Sequence, residues 1–551
     1  METRAGDQVL NQPPPLSDYD VFDQDAPLRD SVEREGGGWA ADLLHRLGWL
    51  AGTQDAIDWG FQANANPPQL RTHDRFGHRL DEVEFHPAWH RLMQVAVAHG
   101  LHSLPWRERR PGAHVARAAA FYIWYQVESG HHCPVSMTFG AVPVLRMQPE
   151  LAARWEPLAT SLDYDPGLRP LAAKRGVLLG VAMTEKQGGS DVLANTTEAK
   201  AIRQPGPGSE YLLTGHKWFC SAPMSDAFLM LAQAPGGLSC FLVPRVLDDG
   251  RRNRILIQRL KDKLGNRSNA SAEIELDGAW GVMVGEEGRG LPIIFEMVNH
   301  NRLDCVVGSA ALMRQAVAQA IHHCRHRWAF GQLLRDHPLM EEVLADLAVE
   351  SEATTLFMIR LAAAFDRADD DSERAFRRVG LALGKYWVCK RAVAVTAEAM
   401  ECHGGNGYIE ESILPRLYRE APLNSIWEGS GNINALDVLR AIRQEPRSTD
   451  AFLAEVERAR GANARFDQAV VALRGALADP IDSQARARRV AGQMALVLEG
   501  SLLLRHGHPD VAEAFCASRL GGERGYEFGT LPPGLPLGAI VDRHCPTVAD
   551  P

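Results

Sequence analysis

Two segments carry residues whose types and order could do chemistry. In Ser425-Ile426-Trp427-Glu428-Gly429-Ser430-Gly431-Asn432, a glutamate follows a large apolar ring and precedes a Gly-Ser-Gly turn. Apolar neighbours such as Trp427 desolvate a carboxylate and raise its pKa towards neutrality, so Glu428 is a candidate general base. The flanking glycines allow close approach of backbone to a ligand. In Met183-Thr184-Glu185-Lys186-Gln187-Gly188-Gly189-Ser190-Asp191-Val192, an apolar run over 177–182 leads into free N–H groups, two hydroxyls and a Gly-Gly backbone. Those are the parts that a flat ring or a phosphate needs, although the same run is also an ordinary Gly-Gly-Ser-Asp turn. Lys217-Trp218-Phe219-Cys220 ends another apolar run, and its indole is either a wall for a ring or barrel core.

Other motifs carry less. Gly285, Gly288 and Gly290 stand as Gly-x-x-Gly-x-Gly with no long buried strand running into them, so a dinucleotide loop is excluded and a strand-to-helix joint expected. His322, His323 and His326 share about one helical turn without a carboxylate at a ligand-like offset. They read as a solvated helix face rather than a metal site, as do His131-His132-Cys133 and His403.

The elements that position these residues follow from periodicity. The first forty or so residues, rich in Pro, Asp and Gly, read as an arm over 1–45. Apolar residues at three- and four-residue spacing in 40–50, 89–99 and 115–127 predict a helical domain over 46–178. Short β-branched or aromatic runs at 211–219, 227–232, 240–243, 255–257 and 272–276 predict a small antiparallel barrel or sandwich over 179–288. Helical periodicity returns over 289–444, as expected of a bundle of about four long helices. A breaker at Glu445-Pro446 then precedes a C-terminal helical block over 445–551, its first helix capped by Thr449 or Asp450 and its tail after Gly521 irregular.

The fold class is therefore mostly α with a central β domain. A net charge of −10 gives no whole-chain pull on polyanions. Nine scattered cysteines, never Cys-x-x-Cys, fit reduced thiols. With no apolar leader in residues 1–4 and beyond, and no membrane-length apolar run, a soluble cytoplasmic protein is expected.

Three further motifs occur in order after the barrel: Arg327-Trp328-Ala329-Phe330-Gly331, His403-Gly404-Gly405-Asn406-Gly407-Tyr408, and the Glu428 segment. With them the chain resembles the acyl-CoA dehydrogenase family over roughly 150–440. Over nearly its whole length, including Asn11-Gln12-Pro13 and Lys261-Asp262-Lys263-Leu264-Gly265-Asn266-Arg267-Ser268-Asn269-Ala270, it looks like the AidB-type proteins of that family, which act in the adaptive response to DNA alkylation.

The resemblance implies an N-terminal helical domain, a β-barrel, a four-helix bundle and an extra C-terminal helical domain. It implies FAD, with Met183, Thr184, Glu185, Gly188, Gly189, Ser190, Asp191 and Val192 at the ring and ribityl chain, and Trp218, Phe219 and Cys220 flanking the ring. Ile426, Trp427, Gly429, Ser430, Gly431 and Asn432 would meet the flavin and its phosphates. Arg327 and Phe330 would reach a neighbouring subunit's cofactor, in a homotetramer. Glu428 would remove the α-proton of an acyl-CoA thioester, or the site would take a small electrophile. No metal is implied. Glu401 and Ser430 replace a commoner Gln and Thr, and Trp427 narrows the acyl channel, which favours short or branched substrates.

It also implies binding of double-stranded DNA through the C-terminal domain, with Arg440, Arg474, Arg486, Arg488 and Arg489 as contacts. Residues 458–489 hold a local excess of four positive charges. Such arginines serve phosphates well, and equally make a solvated helix with internal ion pairs. A short- or branched-chain acyl-CoA dehydrogenase without a DNA role is the alternative.

Overall fold

The computed structural model describes residues 9–478 and 484–547; residues 1–4, Asp479 and Asp482 lie outside them. The chain forms two compact units, each assembled from separate stretches of sequence. One comprises residues 1–54, 114–126 and 305–551, the other 55–113 and 127–304.

The second unit is built around a seven-stranded sheet. Its strands are β3 (Leu179–Ala182), β4 (Glu198–Ala201), β5 (Glu210–Ser221), β6 (Ala227–Ala234), β7 (Gly237–Pro244), β8 (Ile255–Leu260) and β9 (Ser271–Val284), after a separate hairpin of β1 (Gln69–His73) and β2 (Arg79–Glu84). The order β3-β6-β4-β5-β9-β7 closes through β6–β7 pairing, and β8 adds to β9. Alternation along these strands sends Tyr211, Phe228, Phe241, Ile274 and Met283 inward as core. The expected antiparallel barrel has two departures, since both β3 and β4 pair parallel with β6. The β1–β2 hairpin is a strand pair inside a segment expected to be helical. Its Asp81 carboxylate accepts from the Ile257 N–H, and Arg245 donates to the Asp81 carbonyl.

The first unit is helical. Its long helices are Pro338–Asp366, Asp371–Glu401 and the later part of Gly290–His326, with Leu414–Asn424 and Gly431–Gln444 carrying the Glu428 segment between them. The helix Pro338–Asp366 is buried at every position from Leu344 to Phe365. Apolar residues explain most of that, but Asp346, Glu350, Glu352 and Arg360 are buried too, and a buried charge demands a partner.

The partners come mainly from the end of the chain. Arg519 meets Asp346 and, at 3.1 Å, Glu350; Arg543 and His544 meet Glu352 at 2.9 and 3.0 Å; Glu455 meets Arg360 at 3.1 Å. The boundary expected at 445 is therefore not a boundary of compactness. That first C-terminal helix begins at Pro446, not after a Thr449 or Asp450 cap, because proline at the first helical position has no N–H to leave unbonded. The tail after Gly521 contains a helix, Leu537–His544, whose Ile540 and Val541 are buried. The N-terminal arm also belongs here: Asp25 accepts from Tyr122 at 2.9 Å and pairs with Arg314 at 3.2 Å.

Burial opposes ionisation of Glu352 and Glu455, but His544 with Arg543, and Arg360 with Arg505, outweigh it and hold both carboxyls at about 2. A depressed folded pKa stabilises fully above the ordinary value of 4.5 and is lost as pH falls towards 2. Urea midpoints should drop steeply across that window. Glu352→Gln should be less stable at neutral pH with a shallower drop; a drop parallel to that of the parent would contradict the assignment.

Candidate functional site

The Met183 segment leaves the barrel at the end of β3 and is shaped by one buried ion pair. Glu185 and Lys217, both fully buried, lie 2.7 Å apart. Lys217 also donates to the Leu231 carbonyl at 2.7 Å, while Glu185 accepts from the Thr196 N–H and hydroxyl, the Thr197 N–H and the Gln187 amide. Burial works against ionisation of Glu185, and Lys217 with the Thr197 and Thr196 donors holds its carboxyl well below the usual range. Every oxygen of the Glu185 carboxylate thus serves the loop, not a ligand.

The loop then turns at Gly188 and Gly189. A Cβ on Gly189 would lie 2.6 Å from the Thr184 hydroxyl oxygen, and Gly188 adopts φ +153°. Ser190 and Asp191 are exposed, and Met183, Thr184 and Val192 are half-buried. The Lys186 N–H donates to Nε2 of His216 at 3.0 Å, which requires that nitrogen to be unprotonated, and burial lowers the His216 pKa accordingly.

At the end of β5 the register with β9 slips between Lys217 and Cys220. The bulge turns both of those side chains inward and leaves Phe219 48% exposed. Burial pushes the Cys220 thiol up to about 12, so its side chain is barrel core. Trp218 carries the Lys261 ammonium 3.4 Å from its ring centroid. The same ammonium lies 4.7 Å from the Phe219 ring centroid, and Phe219 is the more exposed of the two rings, although the sequence singles out the tryptophan.

The other candidates lie in the helical unit. After Leu414–Asn424 the chain turns through Ile426 and Trp427, whose indole N–H donates to Asn424 at 3.0 Å. Glu428 is half-buried at φ 55° and Gly429 at φ 99°. Left-handed geometry costs a non-glycine residue about 1–2 kcal/mol and persists only where surroundings impose it. Here the Gly429 carbonyl accepts from Lys385 at 3.1 Å and from Asn434 at 2.6 Å. Nothing in its type or spacing marks Lys385, a buried lysine mid-helix, in the sequence.

The helix Gly431–Gln444 starts at Ser430, whose side chain makes no cap hydrogen bond, so its first N–H groups stay open to an anion. Arg488 donates to Asn432 at 2.8 Å, and a Cβ on Gly431 would meet Lys390 at 2.6 Å. Sequence reasoning does not bring these two cations to the phosphate-competent end.

Trp328–Ala329 and Gln332–Leu333 form a two-residue hairpin with Phe330 97% exposed at its tip. Asn11 fixes it, donating to the Trp328 carbonyl and accepting its N–H, both at 2.8 Å, while Arg327 donates to the Asn11 carbonyl. Asn406 donates to Gln12 at 3.0 Å. Of the proposed DNA contacts, Arg474 pairs with Glu457 and Arg440 lies 3.6 Å from Asp437; Arg488 and Arg489 are exposed and Arg486 half-buried.

The histidines expected on a solvated face are mostly core. His322 and His323 are buried, as are His131 and His132; His403 is half-buried, and only His326 is exposed. His132, His326 and His403 each donate through Nδ1 to the carbonyl one turn back, and burial lowers His323 to about 3.

The flavin-loop residues and the Glu428 segment thus fall in different compact units. The AidB N-terminal domain model matches residues 11–166, the acyl-CoA dehydrogenase middle domain 180–279 and its C-terminal domain 288–443. The putative acyl-CoA dehydrogenase AidB of Escherichia coli (strain K12) is 46% identical, over 92% of this chain and 93% of its own. The chain belongs to the acyl-CoA dehydrogenase family, in its AidB group.

Among solved structures, Caenorhabditis elegans ACDH-11 in complex with C11-CoA is similar at TM-score 0.86 and 27% identity, covering 94% of each chain. A Bacillus anthracis acyl-CoA dehydrogenase complexed with FAD shares the fold at TM-score 0.62 and 19% identity, over 79% of this chain and 81% of that one. Membership makes the protein an FAD-dependent oxidoreductase acting on CH–CH groups. Its residues fit that cofactor: a tight Gly-Gly turn with exposed hydroxyls, an exposed aromatic ring at Phe219 and an uncapped helix start at Gly431. No helix among the described residues is long and apolar enough to cross a membrane.

Glu185→Leu should destabilise the barrel unit by about 3–5 kcal/mol and lower the flavin-to-protein ratio, because Lys217 is left buried and unpaired. Adding Lys217→Met should recover most of that stability. Strictly additive losses in urea titrations would rule out the coupling.

Proposed function

We propose that the protein is a homotetrameric acyl-CoA dehydrogenase-like flavoprotein with Glu428 as its base, and that it also binds duplex DNA and protects it from alkylating agents or acts on them. The observation that carries the catalytic reading is the Glu428 backbone, held in the left-handed region and pinned at Gly429 by Lys385 and Asn434. Strain of this kind collects where a side chain must point in one direction.

FAD, when bound, would supply the acceptor for the β-hydride. Glu428 takes the α-proton of the thioester, and Lys385 and Asn434, through the Gly429 carbonyl, fix the backbone that carries it. Thr184, Ser190 and the Gly188-Gly189 backbone would hold the ring and ribityl chain, with Phe219 beside them. The N–H groups at Gly431, with Asn432 and Arg488, would hold phosphates. Binding of an acyl-CoA draws support from the relative that carries C11-CoA.

Assembly is supported by exposed apolar surface that a second copy would cover: Phe330, Leu339 and Tyr408 are 97%, 82% and 79% exposed. The DNA role draws support from the AidB N-terminal match, whose description is of an adaptive response protein, and from the C-terminal arginines. The dehydrogenase without a DNA role is favoured by a specific observation: Arg474 is held by Glu457 and Arg488 by Asn432, so a duplex would have to compete for both.

Glu428→Gln should slow flavin bleaching by butyryl-CoA at least about 100-fold without loss of bound flavin; bleaching at the parent rate would remove Glu428 from the mechanism. Phe330→Asp should give a smaller species in sedimentation with depleted flavin, and an unchanged tetramer would break the assembly reading. Binding to random duplex should fall steeply with salt, and Arg489→Ala should lower the log–log slope by about 0.9. Absence of binding at low salt leaves the dehydrogenase alone.

A further inference from the structure

A cavity of about 270 Å³ lies within the barrel unit and is lined by none of the candidate flavin or catalytic residues. Its walls include Val83 and Phe85 around the end of β2, Trp89 of the following helix, Leu178 just before β3, and Met224. An engineered apolar cavity of about 150 Å³ holds benzene, so this one has room for a ring and a small substituent.

Its lining is not wholly apolar. Trp89 and Ser225, 4% and 1% exposed, both border it, and neither the indole N–H nor the Ser225 hydroxyl has a hydrogen-bond partner among the described residues. A buried donor left without an acceptor costs about 1–3 kcal/mol, and two at one cavity are a reason to expect a ligand there. Trp89 is held in place by stacking on Phe85, with ring centroids 4.0 Å apart. A third polar group is already matched: Nδ1 of His90 and the Tyr164 hydroxyl lie 2.8 Å apart. Burial lowers the His90 pKa and raises that of Tyr164, so this pair is neutral. At the rim Arg252 is paired with Glu82, leaving little net charge to attract an ion.

We infer that this cavity is a second ligand site, for an uncharged single-ring molecule bearing one hydrogen-bond acceptor, such as an aromatic ketone, ester or amide. The ring lies against Phe85, Leu178 and Met224, and the acceptor takes the donors of Trp89 and Ser225. A carboxylate is disfavoured, because a buried anion here would meet neutral groups and an Arg252 already paired with Glu82. The assignment is independent of the flavin reading, since the site shares no residue with it.

The test uses the full-length flavin-loaded protein, with acetophenone as probe, ethylbenzene as a probe of the same shape lacking the acceptor, and benzoate as the anion, each titrated by saturation-transfer NMR. Acetophenone should bind about three- to tenfold more tightly than ethylbenzene, as one neutral hydrogen bond predicts, and more tightly than benzoate. Ser225→Ala should narrow the ketone preference. Leu168→Trp, on a half-buried lining position, should abolish binding of both rings while flavin content stays at the parent level. Three results would overturn the proposal: no acetophenone binding, equal affinity for ethylbenzene or benzoate, or acetophenone binding that survives Leu168→Trp.

Discussion

The architecture of the helical unit depends on what it takes to bury the helix Pro338–Asp366. A helix enclosed on all sides is ordinarily apolar all round, and this one instead carries Asp346, Glu350, Glu352 and Arg360 into the interior. Each ion buried without a partner costs several kcal/mol, so the helix can occupy that place only if opposite charges arrive with it. They arrive from Glu373 and Arg391 on the next helix and from Glu455, Arg519, Arg543 and His544 far along the chain. The block after residue 445 is therefore a structural requirement of the bundle, whatever else it does. The cluster also contains Glu499, whose pKa is raised well above the carboxylate range by burial and by Glu350 and which accepts a hydrogen bond from the Trp387 indole.

The barrel unit meets the same constraint on a smaller scale. Glu185 lies in a loop that must stay open for a ligand, yet its side chain is fully enclosed and neutralised by Lys217. An apolar pair of similar volume would be nearly as stable, so the pair's value is largely specificity: the carboxylate also gathers Thr196, Thr197 and Gln187, which fixes the path from Thr184 to Asn195.

Much of this is legible in the sequence, and the omissions share a cause. The strands β5 to β9 and the long helices follow from period-two and helical patterning, and the two chemistry-bearing segments from residue type and order. The β1–β2 hairpin escapes such patterning because Gln69–His73 and Arg79–Glu84 are short and half-polar, and their stability rests on Asp81 bonding to β8 across the sequence. The buried histidines pass for solvated ones because the partners that let them be buried, Glu128 for His131 and the Pro14 carbonyl for His322, leave no mark in the residue pattern of their helices. Lys385 and Arg488 carry no local signal; only the fold brings them to Gly429 and Asn432. Phe219 is overshadowed by Trp218 because a bulge, invisible in the residue pattern, decides which ring is exposed.

The Glu428 segment shows why a site residue can be recognised by type yet understood only through its supports. A glutamate at φ 55° resists its own backbone preference, and a glycine would take that conformation without cost. A side chain is nevertheless present, and two donors from different helices converge on the next carbonyl to hold it: Lys385 from Asp371–Glu401 and Asn434 from Gly431–Gln444. Asn434 also bonds the Ser430 carbonyl at 3.1 Å, so one amide both fixes the turn and sets the start of the helix whose N–H groups stay open. The position of the carboxylate and the aim of the helix end are thus one structural variable. A change that relaxed the strain at Glu428 by moving Gly429 would also move the anion-binding end of that helix, which is a physical reason for the strain to be retained.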